Sequence, residues 1–189
     1  MVATRREVCT YADLERLPSN VVGELIHGTL YASPRLAERH AKASTVLTGE
    51  LYSPFQRGRG GPGGWIFYDE PELHFGDDVL VPDIAGWRIA RAPEDGIVAF
   101  ETAPDWLCEV LSPSTAKLDR TVKLAVYARE RVPFVWLVDP VQRTLEVFRL
   151  EGERYSLAQT ASDDAQVRAQ PFEELELDLV SLWTGRPRE

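Results

Sequence analysis

The segment from residue 106 to residue 139 constrains the fold more than any other part of the chain. Residues 106–111 (WLCEVL) and 134–139 (FVWLVD) are almost continuously apolar, which is typical of strands covered on both faces. Between them, capping residues around a proline precede a helical spacing over residues 116–131. A strand–helix–strand unit forms a right-handed crossover between parallel strands. The chain is therefore predicted to contain a parallel strand pair with a helix packed on the sheet.

The other elements follow from periodicity and turn residues. The pattern predicts helices over residues 11–17 and 36–57, strands over 24–32 (with a turn at Gly28), 65–68, 72–75 and 79–87, and a hairpin of 144–150 with 154–159. We therefore expect a single domain spanning residues 1–189, with 185–189 as a frayed tail. Its fold class is α/β (α+β), with one central mixed β-sheet flanked by helices.

The composition excludes several classes of protein. Hydrophobic residues make up 44% of the 189, which is too many for a disordered chain. The two cysteines, Cys9 and Cys108, form no CxxC pair, so neither a zinc ribbon nor a redox dithiol is indicated, and Cys108 is expected to be a buried thiol. No apolar core follows the N-terminal arginines and no apolar run reaches 18 residues. We expect a cytoplasmic protein without a membrane span.

The charge is acidic but uneven. The 30 Asp and Glu outnumber the 21 Lys and Arg, giving a net charge of −9, which disfavours general binding to nucleic acid. However, residues 35–59 and 117–131 each carry five basic and two acidic residues, whereas the acidity concentrates in 69–78 and 151–178. This distribution predicts local, salt-sensitive contact with a phosphate backbone.

A glycine-rich segment occupies residues 57–65 (RGRGGPGGW). Its composition is typical of a turn between elements, and the alternative is a basic flap that approaches phosphates. It lacks the lysine and the strand–helix context of a P-loop, which excludes nucleotide binding there.

Two carboxylates stand in apolar surroundings. Asp83 follows Val-Leu-Val-Pro, and Glu109 shares its strand face with Leu107 and Leu111. A buried carboxylate loses hydration unless something pairs with it, and a strand end or a partner arginine would account for either one alone. If the two strands are neighbours, the carboxylates repel each other, and a hard divalent ion such as Mg²⁺ would hold them together.

The helix after Glu109 offers a counter-charge. On a helical wheel its apolar residues form one stripe, namely Leu118, Val122, Ala125 and Val126. Asp119 and Lys123 lie on one flank of this stripe and Lys117 on the other, so Lys123 is placed to present its ammonium to Glu109. The alternative is an ordinary Asp119–Lys123 surface pair of about 0.5 kcal/mol or less.

Long motifs of this chain resemble those of the Uma-type family of putative restriction endonucleases, within the PD-(D/E)XK nuclease superfamily. The matching strings are VPD at 81–83, CEVLSPST at 108–115, KLDRTVKLAVYARERVPFVWLVDP at 117–140, GELIHGTLYASP at 23–34 with His40 behind it, YDEPELHFGDD at 68–78 and LELDLVSLW at 175–183. The resemblance spans nearly the whole chain and implies a restriction-endonuclease-like core.

The resemblance also implies a metal site. Pro82 and Asp83 match the first acidic element and Glu109 the second, so Asp83 and Glu109 would bind Mg²⁺, with Mn²⁺ as a substitute. The lysine expected two residues after the second acid is replaced by Leu111. Lys123 is the natural replacement.

Lys117 is the other candidate for that lysine. Glu24 resembles the additional acidic residue that the superfamily often supplies from its first element. His40 is a candidate for proton transfer, although a lone histidine on a helix that faces a sheet is more often structural.

The predicted function is Mg²⁺-dependent hydrolysis of phosphodiester bonds in DNA, catalysed by Asp83, Glu109, Lys123 and Glu24. A homodimer is expected for an enzyme that cuts both strands. One alternative is a catalytically silent module that keeps the fold and binds nucleic acid or protein. A third interpretation is a hydrolase of another phosphate ester.

Overall fold

A computed structural model of the chain describes residues 8–34, 38–94, 96–97 and 99–186. The strands are Val21–Ile26 (β1), Thr29–Pro34 (β2), Trp65–Asp69 (β3), Leu73–Phe75 (β4), Asp78–Leu80 (β5), Ile84–Arg88 (β6), Trp106–Val110 (β7), Phe134–Asp139 (β8), Thr144–Glu151 (β9), Arg154–Ser162 (β10), Gln166–Val167 (β11) and Leu177–Asp178 (β12). The helices are Tyr11–Leu14 (α1), Glu38–Leu51 (α2), Ala116–Leu118 (α3), Leu124–Arg129 (α4) and Leu179–Thr184 (α5). A π-helical turn at Tyr52–Gln56 extends α2, a second at Asp119–Lys123 joins α3 to α4, and Ile89–Arg91 is a short 3₁₀ turn.

The central sheet is mixed, as predicted. In the described part of the chain it has six strands in the order β10-β9-β8-β7-β6-β3. The β7 and β8 strands run parallel with Glu109 opposite Leu137, and every other neighbouring pair is antiparallel. The crossover predicted from the apolar strands is therefore confirmed. The helical segment from α3 to α4 connects these two parallel strands.

The prediction of one sheet was incomplete, because a second sheet is present. Four antiparallel strands in the order β2-β1-β5-β4 form it. The predicted strand over residues 79–87 was wrong at its centre: it is two strands, of which β5 joins the second sheet and β6 joins the central one. Pro82 lies at the break and has no amide hydrogen for a sheet ladder. Asp83 therefore lies where the chain passes from one sheet to the other.

The central sheet has two buried faces of different character. Trp106 and Val110 of β7 pack with α2 and α5 on what we call the aromatic face. Leu107 and Leu111 pack with α4 and the second sheet on the opposite side, which we call the Glu109 face because Glu109 lies between those two leucines. The alternation predicted for this strand is confirmed, and so is the burial of Cys108, which is fully buried.

The C-terminal elements were not anticipated. The β11–β12 pair and α5 are too short to show a period, although α5 begins with a capping residue, Asp178, whose Oδ1 accepts the Val180 N–H at 3.2 Å. Gly185 ends α5 in the left-handed conformation, with φ 71°. Residues 187–189 of the predicted tail, and residues 36–37 of the predicted long helix, lie outside the described residues. Every helix in the described ranges is too short or too polar to span a lipid bilayer.

Candidate active site

The predicted site residues meet at a small cavity between the two sheets. Its volume is about 50 Å³, and its ionisable lining includes Glu24, His40, Glu70, Asp83, Glu109, Asp119 and Lys123. These side chains come from β1, α2, the β3–β4 connection, the β5–β6 junction, β7 and the π-helical turn. Lys117 is different, because it is exposed on α3 and does not line this cavity. The structure therefore brings together all of the predicted set except Lys117.

Lys123 is the centre of this cluster. It is only 2% exposed, and its Nζ lies 2.8 Å from Oε1 of Glu24 and 2.8 Å from Oε1 of Glu109. The Asp119 Oδ1 is 3.7 Å away, and the Val81 carbonyl oxygen accepts at 3.4 Å. The surface-pair interpretation of Asp119 and Lys123 is wrong, since both are buried. Lys123 instead neutralises buried carboxylates from two sheets.

The π-helical turn explains why Lys123 points inward. Over Asp119–Lys123 the ladder lengthens, so that the Leu124 N–H bonds to the Asp119 carbonyl, five residues back. This phase shift puts the charged pair at the centre of the buried face and leaves Ala125 exposed. The predicted apolar stripe was therefore wrong in part, because it assumed an uninterrupted α-helix. Such π-turns occur frequently at functional sites.

Glu109 is held on one oxygen by two donors. The Tyr127 hydroxyl donates to Oε1 at 2.5 Å, and the Lys123 ammonium approaches the same atom. Tyr127 is fully buried. Sequence analysis missed this tyrosine, although its place four residues after Lys123 on one helix face was a usable signal.

Asp83 is fixed at the break between the two sheets. Its Oδ2 accepts the Val110 N–H at 2.6 Å, and its Oδ1 lies 3.0 Å from Nε2 of His40. His40 is 4% exposed, and its Nδ1 is buried without a hydrogen-bond partner among the described residues. The histidine thus contacts a predicted metal ligand directly.

Glu24 enters the site through the second sheet. It lies on β1, and its Oε1 accepts the Val81 N–H at 2.9 Å in addition to contacting Lys123. This contact crosses from β1 to the residue that follows β5. Packing of β1 against the chain that follows β5 therefore brings Glu24 to Lys123.

Burial disfavours the charged form of carboxylates in this cluster. Burial raises the pKa of Glu109 well above its ordinary value, against the opposing effect of Lys123 and with added repulsion from Asp119, Asp83 and Glu24. Burial likewise raises the pKa of Asp119 to about 6. Burial alone would lower the pKa of Lys123, but Glu109, Glu24 and Asp119 raise it well above its ordinary value. The lysine stays charged, and the raised pKa values of Glu109 and Asp119 mean that these two carboxylates favour a proton or a nearby cation.

The side chains around the cavity offer the oxygen ligands that a hard divalent cation prefers. Oxygen ligands surround the cavity, and Oε2 of Glu109 and Oε2 of Glu24 receive no hydrogen bond from the described residues. No group of three or more His, Cys, Asp or Glu within those residues is arranged to enclose a metal. Mg²⁺ is usually held by one or two carboxylates and keeps several waters, so a complete protein cage is not required. The residues present fit such an ion.

The basic helical segment, residues 117–131, is largely paired within the fold. In the helical segment, Arg120 pairs with Glu146, Arg129 with Asp78 and Glu130, and Arg131 with Glu153. Most of its positive charge is therefore neutralised within the fold, which weakens the charge argument for phosphate contact.

The glycine-rich loop lies away from the cavity. The loop precedes Trp65, the first residue of β3, and Asp69 is the last residue of that strand. Asp69 lies on the cavity side, since Asp83 adds to the rise in its pKa that burial causes. Four strand steps separate the two ends, or about 13 Å. The loop therefore connects elements at the far end of the sheet, as its composition predicts.

A mixed sheet with helices on both faces, and carboxylates gathered around a buried lysine, is the architecture expected of a restriction-endonuclease-like domain. The profile of the Uma2 family, described as "Putative restriction endonuclease", matches residues 10–180. The chain belongs to the Uma2 family. The family predicted from the sequence motifs is thereby confirmed, and it is a nuclease family.

A solved structure supports the same fold. The chain is similar to a protein from Anabaena variabilis ATCC 29413, described as "a putative nuclease belonging to DUF820", with a TM-score of 0.76 and 25% sequence identity. The similarity covers 93% of this chain and 97% of that one. No curated protein sequence matches the chain.

Proposed function

We propose that this protein is a Mg²⁺-dependent endonuclease that hydrolyses phosphodiester bonds in DNA, with Mn²⁺ as a substitute ion. The observation that carries the proposal is the buried Lys123 ammonium, 2.8 Å from carboxylates of both Glu24 and Glu109, in a cavity that Asp83 also lines. Carboxylates can hold the ion of metal-assisted phosphoryl chemistry, and a nearby ammonium offsets the charge that develops on the phosphate.

Each residue has a distinct role in this proposal. Asp83 and Glu109 would hold the ion, which supplies Lewis-acid polarisation of a phosphoryl oxygen when bound. Lys123 orients the attacking water and offsets the negative charge that develops on the phosphate. Glu24 holds the Lys123 ammonium at the cavity through Oε1. His40 contacts Oδ1 of Asp83 and fixes its orientation.

Circular DNA substrates test the proposal. Supercoiled plasmid and circular single-stranded DNA, incubated with Mg²⁺ or Mn²⁺, report endonucleolytic cuts alone. We expect cleavage by the unchanged protein and a loss of about 10³-fold or more in Asp83→Asn. A matched control is Asp139→Asn, because Asp139, like Asp83, accepts a backbone N–H through its carboxylate but lies outside the cavity. Equal cleavage by Asp83→Asn would identify a contaminant, and the proposal would fail.

A second candidate function is a catalytically silent module that binds nucleic acid or protein. The acidic chain, Leu111 at the usual lysine position and the internal pairing of the basic helix favour it. Fluorescence anisotropy with labelled DNA at several salt concentrations distinguishes the two. Salt-sensitive binding without cleavage under any metal condition would favour the silent module.

Two further experiments test the substrate and the oligomeric state. Cleavage of a small phosphodiester with no cleavage of DNA would favour a hydrolase of another phosphate ester. Light scattering in solution tests the expected homodimer, which would let one assembly cut both strands.

A further inference from the structure

We propose that Tyr127 is a positioning residue for Glu109, which selects the carboxylate oxygen that faces the proposed cation. This inference rests on the proposed function and deepens it. Tyr127 is fully buried and its hydroxyl donates to Oε1 of Glu109 at 2.5 Å. The contact joins α4 to β7 across the Glu109 face.

The two donors on Glu109 converge on one atom. Lys123 Nζ lies 2.8 Å from Oε1, the same oxygen that accepts from Tyr127. Oε2 receives no hydrogen bond from the described residues and belongs to a side chain that lines the cavity. With Oε1 engaged twice, Oε2 is the oxygen left for a cation, so Glu109 would bind through a single oxygen.

Buried packing makes this arrangement rigid. Tyr127 lies in the hydrophobic cluster of the Glu109 face, so its ring cannot turn away without opening the core. The helical segment from α3 to α4 also carries Lys123, so one continuous segment delivers both donors to Oε1. Hydrogen bonds that orient a metal-binding carboxylate typically alter metal affinity by about 10- to 100-fold when removed.

Tyr127→Phe is the direct test, because it deletes the hydroxyl and keeps the ring. Tyr155→Phe is the matched control, since the Tyr155 hydroxyl donates at 2.7 Å to the Val132 carbonyl, outside the cavity. Two quantities are measured: Mn²⁺ affinity by electron paramagnetic resonance of free Mn²⁺, and the side-chain ¹³C resonance of Glu109 without metal, assigned by its loss in Glu109→Gln.

We expect Tyr127→Phe to weaken Mn²⁺ binding about 10-fold or more and to shift the Glu109 resonance. Tyr155→Phe is expected to leave both unchanged. Unchanged affinity and resonance in Tyr127→Phe, or equal changes in both variants, would overturn the proposal. If the unchanged protein binds no Mn²⁺ and Tyr127→Phe still shifts the Glu109 resonance, positioning by Tyr127 is supported. The same result would overturn the proposed metal-dependent function.

If Tyr127→Phe does not fold, the unchanged protein answers the same question. A slowly exchanging hydroxyl proton of Tyr127, with a nuclear Overhauser contact to the Glu109 side chain, is then expected. A Tyr127 hydroxyl proton that exchanges as fast as that of an exposed phenol would overturn the proposal.

Discussion

The two faces of the central sheet are buried to a similar depth but are stabilised differently. On the aromatic face, Phe172 is surrounded by rings, with centroids at 4.7–5.7 Å from Phe55, Trp65, Phe67, Trp106 and Trp136. On the Glu109 face, Lys123 is surrounded by carboxylates instead. Apolar packing needs no partner of matched charge, whereas each buried ion depends on the others. The aromatic face is therefore suited to stability and the Glu109 face to chemistry.

The largest expected effect is on activity, at the Glu109 face. We expect Asp83→Asn to lower DNA cleavage by about 10³-fold or more, equivalent to about 4 kcal/mol, because a neutral amide is a poor ligand for a divalent ion. Initial rates of plasmid nicking measure it. An unchanged nicking rate in a variant of unchanged thermal stability would identify a contaminating nuclease and contradict the proposed metal site.

A substitution on the aromatic face should lower the stability of the protein and leave its cleavage activity unchanged. Phe172→Ala removes the ring at the centre of the aromatic cluster, and we expect a loss of about 3–5 kcal/mol in the free energy of unfolding. Denaturant unfolding measures the loss. Cleavage per folded molecule, measured at low temperature, is expected to stay near that of the unchanged protein. A selective loss of cleavage would show that the two faces are coupled.

Lys123→Met tests whether the Glu109 face depends on the buried Lys123 ammonium. Removing the ammonium leaves the carboxylates of Glu24 and Glu109 without a counter-charge, so we expect about 3 kcal/mol of destabilisation at neutral pH. The double variant with Glu109→Gln should recover part of this loss, because one negative charge disappears. A double variant less stable than Lys123→Met would contradict the electrostatic explanation.

The smallest expected effect concerns pH. The pKa of Asp119 is raised by burial from 3.8 to about 6, so its protonated form is the one that the fold favours. Its contribution to stability is present below pH 3.8 and is lost as the pH rises through about 6. We expect Asp119→Asn to remove up to about 2 kcal/mol of this decline. Unfolding measured from pH 4 to pH 7 provides the test, with Phe172→Ala keeping the original slope.

Local patterns predicted much of the fold. The apolar strands at Trp106–Val110 and Phe134–Asp139 indicated their own burial and parallel pairing, since a short helical crossover allows few other arrangements. The second sheet was not predictable in the same way. Its strands pair residues far apart in the chain, such as Leu25 with Val79, and a broken strand at Pro82 looks continuous when only hydrophobicity is read.

The candidate site was predicted in its members but not in its contacts. Asp83, Glu109 and Lys123 stood out as charges in apolar surroundings, whereas the sequence signal for Tyr127 was limited to its position four residues after Lys123. Its role depends on an oxygen 2.5 Å from its hydroxyl, and that oxygen belongs to another element.

The sequence by itself determined the family, the crossover and the identity of the charged residues, because these depend on local composition and on spacing along one element. The tertiary structure alone decided which charges share a cavity. A π-helical turn rotates Lys123 into the protein, and a second sheet brings Glu24 to within 2.8 Å of it. Side-chain orientation and distances across sheets arise from packing among distant segments, and no short window of sequence contains them.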